Sequence, residues 1–189
     1  EGPYSLLDSY GSLFAYQTAN NNSESLFQLQ WLTGSTDAIG WGCNNAMQAF
    51  FAWSTMVGET NWGNATYASY DLVREYDPQD RIRRHNTICT VGEYYSELNS
   101  KNGGYTYNVT ESGYDNKCNI KKHVIGKIDD NGQSYQQSSG VNTYMMRLAE
   151  VYLNLAEAIL GNNASTTDET ALTYFNKVRV RAGMPELKS

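Results

Sequence analysis

Apolar residues recur at three- and four-residue steps most clearly near the end of this chain. Tyr144, Met145, Leu148, Ala149, Tyr152, Leu155, Ala156 and Ile159 form one such stripe, which Gly161 closes. After the polar turn Asn162-Asn163, Thr167 or Asp168 can cap a second helix. Its apolar face is Ala171, Leu172, Phe175, Val178 and Ala182, and Gly183 and Pro185 end it. Residues 144–183 are therefore predicted to be a helical hairpin, with alanines letting the two helices approach closely. One such pair leaves faces uncovered, so it needs neighbours.

The remaining pattern is weaker. Leu6, Leu7, Tyr10, Leu13 and Phe14 predict a short amphipathic helix over 4–16, despite Gly11. The polar turn 20–23 leads into alternation over 25–31, a strand. Residues 33–64 are glycine-rich and loop-like, with a helical turn over 45–51. A helix is expected over 66–76, capped by Thr66, turning Tyr70, Val73 and Tyr76 inward and stopped by Asp77-Pro78. Short extended pieces are expected at 105–109 and 123–125, and a polar loop over 129–142. The fold class is mainly α, with long irregular loops and a few short strands. All 189 residues read as one domain, and Glu1-Gly2-Pro3-Tyr4 reads as the middle of a longer protein.

Charge and composition narrow the function. The formal net charge of −6 argues against nucleic acid, whose phosphates require a basic surface. The one basic cluster, Arg81, Arg83, Arg84 and His85, lies beside Asp77 and Asp80 and reads as a solvated charged turn. No apolar run approaches the roughly 20 residues of a membrane span. Cys43, Cys89 and Cys118 are far apart and form no metal-ligand pair, and the histidines stand alone. No metal or cofactor is expected. The sequons at Asn21, Asn64, Asn108 and Asn163 read as chance in an asparagine-rich chain.

Aromatic residues are the anomaly: Tyr occurs 15 times, with four Trp and five Phe. Rings with a polar edge suit half-wet binding surfaces. Trp41, Trp62 and Tyr67, interleaved with Asn44, Asn45, Asn61 and Asn64, combine stacking faces with amide hydrogen-bonders. That chemistry fits the apolar C–H face and the hydroxyls of a sugar ring, whereas Trp53 in AFFAWSTM reads as core. Carboxylates near Trp62 (Glu59, Asp71, Glu75, Asp77, Asp80) admit a glycosidase reading but match no catalytic pattern. Arg147, Glu150 and Glu157 lie near the apolar side of the first hairpin helix, within reach of Arg179 or Arg181 on the second. They read as a structural ion-pair network.

The wording RLAEVYLNLAEA followed by YFNKVRVRAG closely resembles the C-terminal signature of the SusD/RagB family, surface glycan-binding lipoproteins of Bacteroidetes. NNNSESLFQLQW (20–31), NWGNATYASYDLVREYDPQDRIRR (61–84) and NKVRVRAGMP keep that family's order along the chain. The resemblance implies a SusD-like, mainly helical fold whose C-terminal helix pair is of tetratricopeptide type. It also implies an outer-membrane, surface-exposed lipoprotein that captures glycans, or occasionally peptides, for a SusC-like TonB-dependent transporter, without catalysis. Full members are far longer and carry an N-terminal lipidated cysteine. The chain departs from the family wording at Tyr76-Asp77-Pro78 and in a long insert over 85–120. Two other readings stay open: a helical-repeat scaffold serving only protein–protein contact, and a glycoside hydrolase.

Overall fold

The computed structural model describes residues 2–33, 45–57, 65–108, 117–131, 134–135 and 138–189 of the chain. Two 3-10 turns, Gly11–Phe14 and Tyr16–Thr18, precede β1 (Ser25–Leu29), α1 (Met47–Phe51) and α2 (Ser54–Val57). Then come β2 (Tyr67–Ser69), α3 (Tyr70–Glu75), α4 (Arg81–Thr87), β3 (Tyr94–Tyr95), β4 (Tyr105–Thr106) and β5 (Lys117–Asn119). The chain closes with α5 (Ile128–Asn131), β6 (Ser134–Tyr135), β7 (Ser138–Ser139), β8 (Thr143–Arg147), α6 (Leu148–Leu160) and α7 (Glu169–Arg181). The described strands pair antiparallel, two by two: β1 with β8, β2 with β5, β3 with β4 and β6 with β7.

The helical hairpin exists, but it starts later than its apolar stripe. Residues 143–147 are strand, because their backbone pairs with β1. Leu148 N–H donates to the Glu24 carbonyl at 2.9 Å, and the helix begins at that point. Tyr144 and Met145 therefore belong to the sheet. Helix α6 ends at Gly161, whose φ of 58° with ψ of −128° is open only to glycine. Asp168 caps α7, its Oδ1 accepting from Ala171 N at 2.9 Å. At the other end Gly183 N donates to Val180 O and Met184 N to Arg179 O, both at 2.9 Å, a Schellman closure that requires the positive φ of Gly183.

The two helices meet through Leu148, Ala149, Tyr152 and Val178, with Leu6 and Tyr174 packed against them. The Tyr152 and Tyr174 rings lie 4.8 Å apart, and the Lys177 ammonium sits 5.4 Å and 4.9 Å from their centroids. Leu172 and Phe175 are half-buried and line an adjoining apolar groove with Leu153 and Ala156.

The largest core among the described residues lies elsewhere. Ala52, Met56, Val57, Cys89, Tyr95, Leu98, Tyr105, Tyr107 and Val124 form it, with Phe51 and Trp53 packed on its side. Trp53 is thus a core-facing ring, as its apolar neighbours predict. Ala68, Ile88 and Cys118 form a third cluster, against which Tyr70, Val73 and Tyr76 pack.

Two helix expectations are corrected. Residues 4–16 form no α-helix: Ser5 N donates to Ser23 O and Leu7 N to the Glu24 carboxylate. Those donors are spent on β1's approach, and only the two short turns remain helical. In 66–76, residues 67–69 pair with β5, and the helix is the six residues Tyr70–Glu75, capped by Ser69 rather than Thr66. His123 to Ile125 form no strand but a turn, with His123 at φ 68°. The loop expected over 129–142 holds α5 and the β6–β7 hairpin.

Candidate functional site

Of the expected sugar-contacting residues, Tyr67 lies within the described structure; Trp41, Trp62, Asn61, Asn64 and Asn44 lie outside the described residues. Tyr67 opens β2, half-buried, opposite Asn119 of β5. The residues that flank this part of the chain are firmly held. Asn45 is buried: its Nδ2 donates to Val141 O at 2.6 Å, its Oδ1 accepts from Met47 N at 2.9 Å, and its carbonyl accepts from Ser139 N at 2.8 Å. Thr66 N donates to Phe50 O at 3.2 Å, and Asn119 Nδ2 to Phe51 O at 2.6 Å. Gln48 is buried between α1 and the 125–126 turn, donating to Gly126 O and accepting from Ile125 N. Short helices with little propensity of their own are thus pinned by buried amides, those of Asn45 and Gln48 bonded through both nitrogen and oxygen.

A groove of 410 Å³ opens beside this frame, which the sequence reading did not anticipate. It runs between the 9–17 segment, α4 and the 121–125 turn, with the rings of Phe14 and Tyr16 on one side and His85, Glu97, Lys121 and Asp130 on the other. Ring faces and two-way hydrogen-bonding groups together suit a polyol. Its wall is rigid. Lys121 is nearly buried, donates to Val124 O at 3.0 Å and pairs with Glu97 at 3.0 Å. Asp130 accepts from Asn99 N, Ser100 N, Ser100 Oγ and Lys127 N at 2.7–2.9 Å. Burial works to raise the Asp130 carboxyl, but these donors hold it below the ordinary range.

Behind the wall, Glu93 accepts from Arg84 Nη2 at 2.5 Å, Tyr95 Oη at 3.0 Å and Thr90 N at 3.2 Å, with His85 Nδ1 at 3.6 Å. Burial opposes its charge, yet the hydrogen bonds from His85, Thr90, Arg84 and Tyr95 keep its carboxyl far below the usual value. Burial also pushes the adjacent Cys89 thiol up to about 12. Both Glu93 and Glu97 are neutralised by a cation, an arrangement that holds loops together and leaves neither as a proton donor at neutral pH. The groove escaped sequence reading because it joins segments a hundred residues apart, none carrying a local motif.

The ion-pair network on the hairpin has a different centre from the expected one. Arg147 and Arg181 both converge on Glu24, whose side chain has 0 % exposure, Arg147 Nη1 at 2.9 Å and Arg181 Nη1 in direct contact. Leu7 N donates to the same carboxylate at 3.0 Å. Arg179 turns away and donates to Pro185 O at 2.9 Å, while Glu150 and Glu157 sit on the exposed side of α6. The acceptor that draws in the two arginines comes from the turn just before β1, 123 and 157 residues away, beyond any periodicity argument.

Residues 8–189 match the SusD family. A SusD-like protein of Bacteroides ovatus is 42% identical over 181 residues, which are 94% of this chain and 31% of that protein. The chain belongs to the SusD family. It is similar to a crystal structure with xylogluco-oligosaccharide, at 39% identity and a TM-score of 0.85, covering 98% of this chain and 36% of the other. Surface glycan-binding protein A of Bacteroides thetaiotaomicron, in complex with laminarihexaose, shares the fold at 20% identity and a TM-score of 0.67, covering 99% of this chain and 41% of that one. The chain therefore spans about a third of the length of the Bacteroides ovatus protein and of the protein with xylogluco-oligosaccharide. Among the described residues no helix is long and apolar enough to cross a membrane.

Proposed function

We propose that this SusD-family chain belongs to a cell-surface glycan-binding protein that captures oligosaccharides, without cleaving them, for a SusC-like TonB-dependent transporter. The observation that carries the reading is the 39 % identity, over nearly the whole chain, to a structure with xylogluco-oligosaccharide. In this reading Trp41, Trp62 and Tyr67 supply stacking faces and Asn61 and Asn64 hydrogen-bond the hydroxyls. The pinned amides of Asn45, Gln48 and Asn119 support the neighbouring backbone. Each sugar hydroxyl only exchanges a bond to water for one to protein, so affinity per residue is modest and depends on the rings. In this reading the protein is a surface-exposed lipoprotein of the outer membrane.

Affinity gel electrophoresis against xyloglucan, laminarin and an uncharged control polysaccharide tests this reading. Retardation by one β-glucan without release of reducing sugar is expected. Release of reducing ends would favour a hydrolase. Absence of retardation, with a transporter still co-purifying, would favour the scaffold reading.

A further inference from the structure

The start of α6 borders a second, smaller cavity that the glycan reading leaves unused. It encloses 180 Å³ and is lined by Phe14, Lys122, His123, Tyr144, Arg147 and Glu150, with Thr143 and two methionines completing it. That is several times the roughly 30 Å³ share of one water.

Its charges do not cancel. Glu24 supplies one buried carboxylate to two guanidiniums, Arg147 and Arg181, so this cluster carries a net +1. Lys122 adds another cation at the cavity, its Nζ 5.0 Å from the Phe14 ring centroid. Burial lowers the Lys122 pKa, and Arg147 lowers it further; both forces disfavour an ammonium that a ligand anion would stabilise. The carboxylate facing the cavity is Glu150, which is exposed on the first turn of α6.

Hydrogen-bonding capacity is also unspent. Among the described residues His123 Nδ1 is buried without a partner, and the ring stands edge-on to Phe14 at 5.6 Å. Burial, and then Lys122, push its pKa down to about 4, so the ring is neutral at pH 7 and Nδ1 can carry the proton. Tyr144 Oη accepts from Asn22 Nδ2 at 2.7 Å, which leaves its own hydroxyl proton to donate. Among the described residues no side chain caps the start of α6, where the helix dipole adds to the positive potential.

We infer that this cavity binds an oxyanion, a carboxylate or a sulfate group, held by Lys122 and Arg147 with hydrogen bonds from Tyr144 and His123. The group is either an acidic substituent on a sugar or a free inorganic anion. The site is built from residues other than the stacking rings, so it stands or falls separately from the glycan reading.

The test is an NMR titration of the whole 189-residue protein with sodium sulfate, methyl β-glucuronide and methyl β-glucoside, at ionic strength held constant with chloride. Saturable shifts at residues 122–123 and 144–150 are expected with an anion and not with the glucoside. Tighter binding of the glucuronide than of sulfate would assign the site to an acidic sugar, and equal or tighter binding of sulfate to a free anion. Lys122→Gln should weaken binding by about tenfold or more, as loss of a charge-assisted bond implies, and Lys122→Arg should largely restore it. The proposal is overturned if neither anion gives saturable shifts there, if the glucoside gives the same shifts, or if Lys122→Gln titrates like the parent protein.

Discussion

Glu24 and Arg181 stand 157 residues apart in the chain and form an ion pair with side-chain exposures of 0 % and 6 %. Arg147 joins the same carboxylate, so the entry to β1, the end of β8 and the last turn of α7 are tied at one buried point. Removing one partner of such a cluster leaves the others charged and desolvated. Glu24→Ala should therefore cost about 3–5 kcal/mol in urea denaturation. Glu150→Ala, on the exposed side of α6, should cost no more than about 0.5 kcal/mol.

The hairpin seam gives a second prediction. Leu148 is 6 % exposed and touches both α7 and the N-terminal segment through Leu6. Leu148→Ala should lower stability by about 2–5 kcal/mol, as deletion of a buried leucine does. Leu153→Ala, at a position 39 % exposed, should cost well under half as much in the same measurement.

Acid should loosen the groove wall. Glu93 and Asp130 both have folded-state carboxyl pKa values held below their unfolded ones. Their stabilisation is fully present above the unfolded values near 4 and disappears as pH falls through the folded ones. Denaturation midpoints should be flat from about pH 7 to 5 and then fall. Glu93→Gln should be less stable at pH 7 and show a shallower acid slope.

Cys89 and Cys118 are free thiols with 0 % exposure, in separate apolar clusters. Burial raises both thiols, Cys89 to about 12, which keeps the reactive thiolate scarce. Iodoacetamide at pH 8 followed by peptide mapping should leave both unmodified in native protein and alkylate both in urea.

Much of the fold was legible in local pattern, because α6 and α7 carry long apolar stripes with glycine stops and an aspartate cap. The strand at Ser25–Leu29 was legible from the alternation that follows the polar turn 20–23. What failed was non-local. Tyr144 and Met145 continue the helical stripe, yet pairing with β1 overrides it. Glu24 gives no sign in sequence that it will meet two arginines. Residues 67–69 resemble helix until Asn119 and Cys118 arrive to pair with them. The same reasoning explains why the 410 Å³ groove was invisible while the Trp/Asn-rich stretch stood out: composition marks stacking chemistry, but only folding brings Tyr16, His85 and Lys121 to one place.

Direct binding decides whether this SusD-family chain holds sugar through those rings. Isothermal titration of the protein with a xylogluco-oligosaccharide, beside Trp41→Ala and Trp62→Ala variants, is the measurement. Saturable heat from the parent protein, lost in both variants while the denaturation midpoint stays unchanged, is the predicted result. Equal affinity in parent and variants, or no heat with any β-glucan oligosaccharide, would contradict it.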